Sequence, residues 1–206
     1  MILGITGGTG CGKTTLLSLV REKGGLILDC DEIYHELLAS DPDLLSAIAR
    51  RFPGTVTEAG LDRKRLGAIV FADEKALADL NALTHSAVRA EVERRLGNTP
   101  KLAAIDAIAL FESGLGALCD VTVAVTAPVE HRVKRLMARD GIEENYARSR
   151  IAAQHDEKWF QDRCDATLVN DGDFPIFYNR CLAFLREWDI IESTDHSMIA
   201  EKETDQ

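Results

Sequence analysis

Residues 4–17 read GITGGTGCGKTTLL, a glycine-crowded turn ending in Lys-Thr-Thr. Upstream, MILGIT (1–6) is a short apolar run with the character of a buried strand. Downstream, helical periodicity runs from about Gly12 to Lys23 and is ended by Gly24-Gly25. The residues between, Gly7 to Thr14, fit G-x-x-x-x-G-K-[ST]. Glycines at these places let successive backbone N–H groups converge on one anion, and the helix that follows adds its N-terminal dipole. Lys13 supplies a mobile cation for β- and γ-phosphates, and the Thr14 hydroxyl suits Mg²⁺. Gly8, Gly10, Cys11, Gly12, Lys13, Thr14 and Thr15 are therefore expected to hold a nucleoside triphosphate.

Outward from the loop, strands alternate with helices. LILD (26–29) is a second buried strand, and DEIYHELLAS (31–40) returns to helical spacing before Asp41-Pro42 breaks it. Residues 43–96 are helical in pattern throughout, and no strand is expected there. KLAAIDAIALF (101–111), VTVAV (121–125) and ATLVN (166–170) are apolar strands, as parallel strands covered on two faces should be. Helices are expected from Pro128 to about Asp140, over 142–154 and over 174–188. The pattern predicts an α/β fold of the P-loop NTPase type: a parallel five-stranded sheet with helices on both faces, a helical substrate-binding insertion and a lid. The expected division of residues 1–192 is a core (1–30, 101–138 and 155–192), an insertion (about 31–100) and a lid (about 139–154). A flexible tail is expected over 193–206.

Composition narrows the function. The 206 residues carry a formal net charge of −10, and no basic stripe of the kind a general nucleic-acid binder needs is visible. The apolar runs are too short to span a membrane. Five cysteines without a C-x-x-C pair, and an N-terminus without signal-peptide character, point to a reducing, cytoplasmic setting. Neither N-K-x-D nor D-x-x-G occurs, which argues against a guanine-reading regulatory GTPase.

A kinase for a small molecule needs a carboxylate at the acceptor hydroxyl and cations around the transferred group. Asp31 suits the first role, or else caps the helix starting at Glu32. Asp106 ends an apolar run as a Mg²⁺-holding carboxylate would, or is a plain strand-end residue. Arg132, Arg135 and Arg139 share one helical face, with Arg148 and Arg150 on the next helix. They suit a closing lid or a solvated face. The alternatives to one dedicated acceptor are a kinase for another small hydroxyl compound and a regulatory protein that holds ATP without transferring phosphate.

Several stretches in order resemble the dephospho-CoA kinase family: GITGGTGCGKTT, LDCDEIYHEL, GLDRKRLGAIVF, LTHSAVRAEV, ALFESGL, RVKRLMARDGI, RSRIAAQ and NDGD. The resemblance implies phosphorylation of the ribose 3′-hydroxyl of dephospho-CoA by ATP with Mg²⁺, on a fold like that of nucleoside-monophosphate kinases. It implies Asp31 as base or hydroxyl orienter. His85, Arg89, Phe111 and Glu112 would line the acceptor side, and Arg139, with Arg135 nearby, would reach phosphates from the lid. Asn170-Asp171-Gly172 would lie against the adenine, and Thr14 and Asp106 would serve the metal. Taken alone, His85 on its apolar helix face reads as a packing residue. Two family prolines are absent, at Ser86 and within 108–110, where they would rigidify the acceptor loop. Cys11 stands where serine is common.

Overall fold

The computed structural model describes residues 1–97 and 101–191; the expected tail at 193–206 lies outside them. Its main sheet contains β1 (Ile2–Thr6), β2 (Leu26–Asp29), β5 (Ala103–Asp106), β6 (Val121–Thr126) and β7 (Ala166–Val169). All neighbours are parallel, in the order β2-β5-β1-β6-β7. The chain leaves β1 at the point where the sheet is extended in both directions, and ligands on such sheets bind there, beyond the strands' carboxyl ends. The register sets Asp106 beside both Ile5 and Asp29, so two carboxylates meet at that edge.

Each face of the sheet has its own apolar layer. Leu3, Ile5, Val123 and Val125 pack with α1 (Lys13–Glu22) and α9 (Phe174–Glu187). Leu28, Ala103 and Ile105 pack on the other face with α2 (Cys30–Ser40) and α5 (Glu74–Leu96). A third cluster, around Phe52 and Ile48, joins α2 and α5 to α3 (Pro42–Arg51) and α4 (Arg63–Val70). A fourth joins α6 (Val129–Asp140) to α7 (Glu144–Ala152) through Val133, Leu136, Ala147 and Ile151.

Three points correct the sequence reading. The stretch 43–96 contains a small antiparallel hairpin, β3 (Val56–Thr57) with β4 (Gly60–Leu61). Strands of two residues carry no measurable hydrophobic period, so patterning could not reveal them. A short helix, α8 (Glu157–Gln161), follows α7, capped by the Asp156 carboxylate, which accepts from Trp159 N. Position 86 lies in no loop. It is in the middle of α5, a helix of 23 residues that buries every fourth side chain from Ala76 to Leu96. A proline there would remove a helical hydrogen bond, so Ser86 keeps α5 continuous. The loop after β5 is tied without proline: Thr6 Oγ1 donates to Ile108 O at 3.1 Å, and Ser113 Oγ donates to Ala109 O at 2.6 Å.

The glycine loop is pressed onto β6. At Gly7, where φ is +130°, an added Cβ would stand 2.1 Å from the Val125 carbonyl oxygen, which is backbone of an inner strand. Gly7→Ala should therefore destabilise the fold by about 2–6 kcal/mol, from backbone strain plus overpacking. Urea denaturation checks this, and an unchanged midpoint would show that the loop can move off β6.

Candidate active site

The loop from Gly7 to Gly12 connects the inner strand β1 to α1 and curls by repeated left-handed turns, with φ of 130° at Gly7, 78° at Gly10 and 95° at Gly12. Gly12 is the N-cap of α1, and no side chain caps that end; Thr15 N turns back to Gly12 O at 3.2 Å. Lys13 Nζ donates to Gly7 O at 3.1 Å and stands 3.7 Å from Asp106 Oδ1. The ammonium is thus held over the loop before any ligand arrives. Thr14 is exposed at the loop's exit.

Asp106 is mostly buried, and its Oδ1 has no hydrogen-bond partner among the described residues. Burial, the largest cause, together with the carboxylates of Asp29 and Asp31 raises its carboxyl to about 6 against the downward pull of Lys13. A partly desolvated carboxylate oxygen without a hydrogen bond, held only by the Lys13 ammonium at 3.7 Å beside a phosphate-binding loop, fits the hydration shell of a divalent cation. No group of three or more His, Cys, Asp or Glu among the described residues could hold a metal unaided. A cation here would share its ligands with phosphate oxygens.

The elevated carboxyl has a consequence for stability. Between pH 4 and 6 the folded chain keeps the Asp106 proton that the unfolded chain, with an ordinary value of 3.8, has already lost. Stability present below that window falls as pH rises through about 6, by at most about 3 kcal/mol. Asp106→Asn has no proton to lose there. Its unfolding free energy, measured in urea without nucleotide or metal, should gain on the parent's from pH 4 to 6 and then run parallel. Parallel profiles throughout would contradict the burial argument.

The loop is braced from behind by residues far away in sequence. Arg132, on α6 and buried, donates from Nε to Thr9 O at 2.9 Å and from Nη2 to Gln154 Oε1 at 2.8 Å. The same Gln154 oxygen accepts from Thr9 N at 2.9 Å. Arg135 donates to Gly10 O at 3.2 Å and to Asn170 Oδ1 at 3.0 Å. Asn170 Nδ2 donates to Cys11 O at 2.9 Å, and a Cβ on Gly12 would fall 2.3 Å from that nitrogen. Asn170 is thereby spent on bracing the loop. The Asp171 carboxylate pairs with Arg180 at 2.5 Å. Cys11 is buried, and burial raises its thiol against the pull of Arg132, Lys13 and Arg135. It serves the loop through its backbone.

Asp31 and His85 come together. Both line a cavity of about 200 Å³ at the strand-end edge, with Tyr34, Asn81, Ile108 and Ser113 among its other walls. The two uses open to Asp31 separate here. The cap of α2 is Asp29, whose Oδ1 accepts from Asp31 N at 2.9 Å and Glu32 N at 3.1 Å. The Asp31 carboxylate has no partner among the described residues. His85 contributes a wall of the cavity and is only half-buried. Arg89 donates to Gly114 O at 3.1 Å and pairs with Glu93, so it shapes the end of the loop after β5. Phe111 meets Trp159 edge-on at 6.1 Å, and Glu112 bonds His155 at 2.9 Å.

Sequence reasoning grouped the lid arginines by spacing, and the structure separates them. Arg132 and Arg135 turn to the loop, whereas Arg139 forms a two-pronged pair with Asp140, at 2.6 and 3.0 Å, shared with Arg150. Gln154, His155 and Trp159 meet the site residues without any sequence motif that marks them. RSRIAAQ carries Gln154, but a lone glutamine after a helix has no spacing signal.

Comparison with known proteins agrees with this geometry. The family model described as Dephospho-CoA kinase matches residues 1–175. The dephospho-CoA kinase of Geobacillus kaustophilus is 36% identical over 198 residues, covering 93% of this chain and 98% of its own. A crystal structure from Thermus thermophilus has a TM-score of 0.76 at 32% identity, covering 91% of this chain and 97% of that one. A dephospho-CoA kinase from Campylobacter jejuni gives 0.65 at 25% identity, over 91% and 96%. With matching motifs, matching fold and matched length, the chain belongs to the dephospho-CoA kinase family.

Proposed function

We infer that this chain transfers the γ-phosphoryl group of ATP to the ribose 3′-hydroxyl of dephospho-CoA, giving coenzyme A. The observation that carries the reading is the shared edge. A phosphate loop with a pre-held lysine lies beside a cavity lined by an unengaged carboxylate. Catalysis of this transfer is mainly positioning and charge stabilisation.

Gly8, Gly10, Cys11, Gly12, Lys13, Thr14 and Thr15 bind the phosphates, and Asn170-Asp171-Gly172 forms the adenine side. Asp31 orients the acceptor hydroxyl and takes its proton. His85, Arg89, Phe111 and Glu112 bound the acceptor. Arg139 exchanges Asp140 for phosphate oxygens when the lid closes, and water is excluded. Thr14 and Asp106 would hold Mg²⁺, which when bound neutralises phosphate charge. We keep the division into core, insertion (31–100) and lid (139–154): the insertion has an apolar cluster around Ile48 and Phe52, and the lid helix packs through Ala147 and Ile151 onto Val133 and Leu136 of the core. No helix among the described residues is long and apolar enough to cross a membrane; with this metabolic role and scattered free cysteines we place the protein in the cytoplasm.

The test is ADP release from Mg-ATP with dephospho-CoA, adenosine or shikimate. Strong stimulation by dephospho-CoA alone is expected. Stimulation by another acceptor alone would reassign the substrate. ATP binding without stimulation by any of them would favour a nucleotide-holding regulatory protein.

A further inference from the structure

We propose that Gln154 and His155, consecutive residues where the chain leaves the lid, are positioning residues that couple the donor loop to the acceptor loop. The inference rests on the reading above that Phe111 and Glu112 bound the acceptor.

Gln154 reads the donor side. Its Oε1 accepts from Thr9 N at 2.9 Å and from Arg132 Nη2 at 2.8 Å, while Arg132 Nε binds Thr9 O at 2.9 Å. Both backbone groups of Thr9, inside the phosphate loop, are therefore held by the lid and its root. His155 reads the acceptor side. Its Nε2 donates to Glu112 Oε1 at 2.9 Å, which sets the imidazole tautomer. Its ring lies flat on Trp159, with centroids 3.8 Å apart and planes 4° from parallel. Trp159 in turn meets Phe111 edge-on and carries the Arg163 guanidinium 4.1 Å over its ring. Phe111 and Glu112 are thus gripped from the residue that follows Gln154.

Consecutive Cα atoms are about 3.8 Å apart and cannot separate. A backbone shift of Gln154 that follows phosphate filling the loop carries His155 with it, and so moves Glu112 or the Trp159 stack. The reverse holds for acceptor binding, because coupling between two ligands is reciprocal. Neither residue needs to touch a reacting atom.

The experiment is calorimetric titration of a non-hydrolysable ATP analogue with Mg²⁺, with and without saturating dephospho-CoA. On the parent chain dephospho-CoA should tighten the analogue by about 5-fold or more. In His155→Phe, which can keep the stack but loses the bond, that factor should fall to within about 2-fold of unity. The affinity for the analogue alone should stay within about 2-fold. Gln154→Leu should lose the coupling from the other end, and the double variant should lose no more than either single one. If His155→Phe does not fold, the smaller His155→Leu removes the same bond without touching a residue assigned to either ligand. Full coupling in His155→Phe, or losses that add in the double variant, would overturn the proposal. So would dephospho-CoA that binds the parent without tightening the analogue. Dephospho-CoA that does not bind the parent at all would overturn the acceptor reading, and the coupling with it.

Discussion

Asp31→Asn should lower turnover by a factor on the order of 10²–10⁴ while leaving ATP affinity within a few-fold of the parent's. The size follows from the proposed role, in which Asp31 both aims a hydroxyl and receives its proton. The selectivity follows from where Asp31 sits. Its side chain lines the cavity shared with Tyr34 and His85 and is not part of the phosphate loop or its braces. The α2 cap is supplied by Asp29, so Asp31 serves the fold only as an exposed acidic residue of the helix's first turn. Unfolding free energy should therefore change by less than about 0.5 kcal/mol. Asp29→Ala is the control with the opposite signature: it removes the cap and should cost about 1 kcal/mol of stability. If Asp31→Asn turned over at near-parent rates, the proton acceptor would have to be sought elsewhere in the cavity. If it unfolded like Asp29→Ala, the division of labour between the two carboxylates would be wrong.

That division also marks how far the sequence could be read. The glycine loop, the sheet strands and the helical insertion were legible because each rests on a local rule: a spacing of glycines, a run of apolar residues, a period of 3.6. Asp31 as one member of D-C-D was legible as a candidate, but two aspartates one residue apart satisfy the same capping preference. Only the register Asp29↔Asp106 and the direction of α2 decide which of them turns back on the backbone. Arg132, Arg135 and Arg139 pose the same problem on one helix. Spacing places all three on a common face, yet only the first two meet carbonyls of the loop, because the third lies at the helix end beside Asp140. Gln154 and His155 were out of reach for a different reason. Their partners, Thr9 and Glu112, are distant in sequence and come to them only through the tertiary arrangement of lid and sheet.

Lys13→Ala should reduce kcat/KM by about 10²–10⁴-fold and weaken ATP binding, with little loss of stability. In the free chain the ammonium bridges Gly7 O and the Asp106 carboxylate, so it is fixed over the place where β- and γ-phosphates would lie. A cation held there needs little reorganisation when charge builds up in transfer, and fixed groups of that kind contribute roughly 10²–10³ each to rate. The lost ground-state attraction for phosphate accounts for the rest. Stability is spared because of the carboxylate next door. Lys13 is what pulls Asp106 down, so without it the already elevated carboxyl rises further and is protonated over a wider range of pH. A neutral Asp106 leaves no uncompensated buried charge, which is the usual reason that breaking such a pair is costly. Lys13→Arg should not restore activity, since a planar guanidinium is longer and forked where the loop has fitted a compact ammonium. Measurement of ATP affinity, turnover and urea midpoint on the two variants separates the contributions. Unchanged affinity and rate in Lys13→Ala would mean that the loop does not hold the transferred phosphates. A collapse of stability instead would mean that Asp106 stays ionised without its partner.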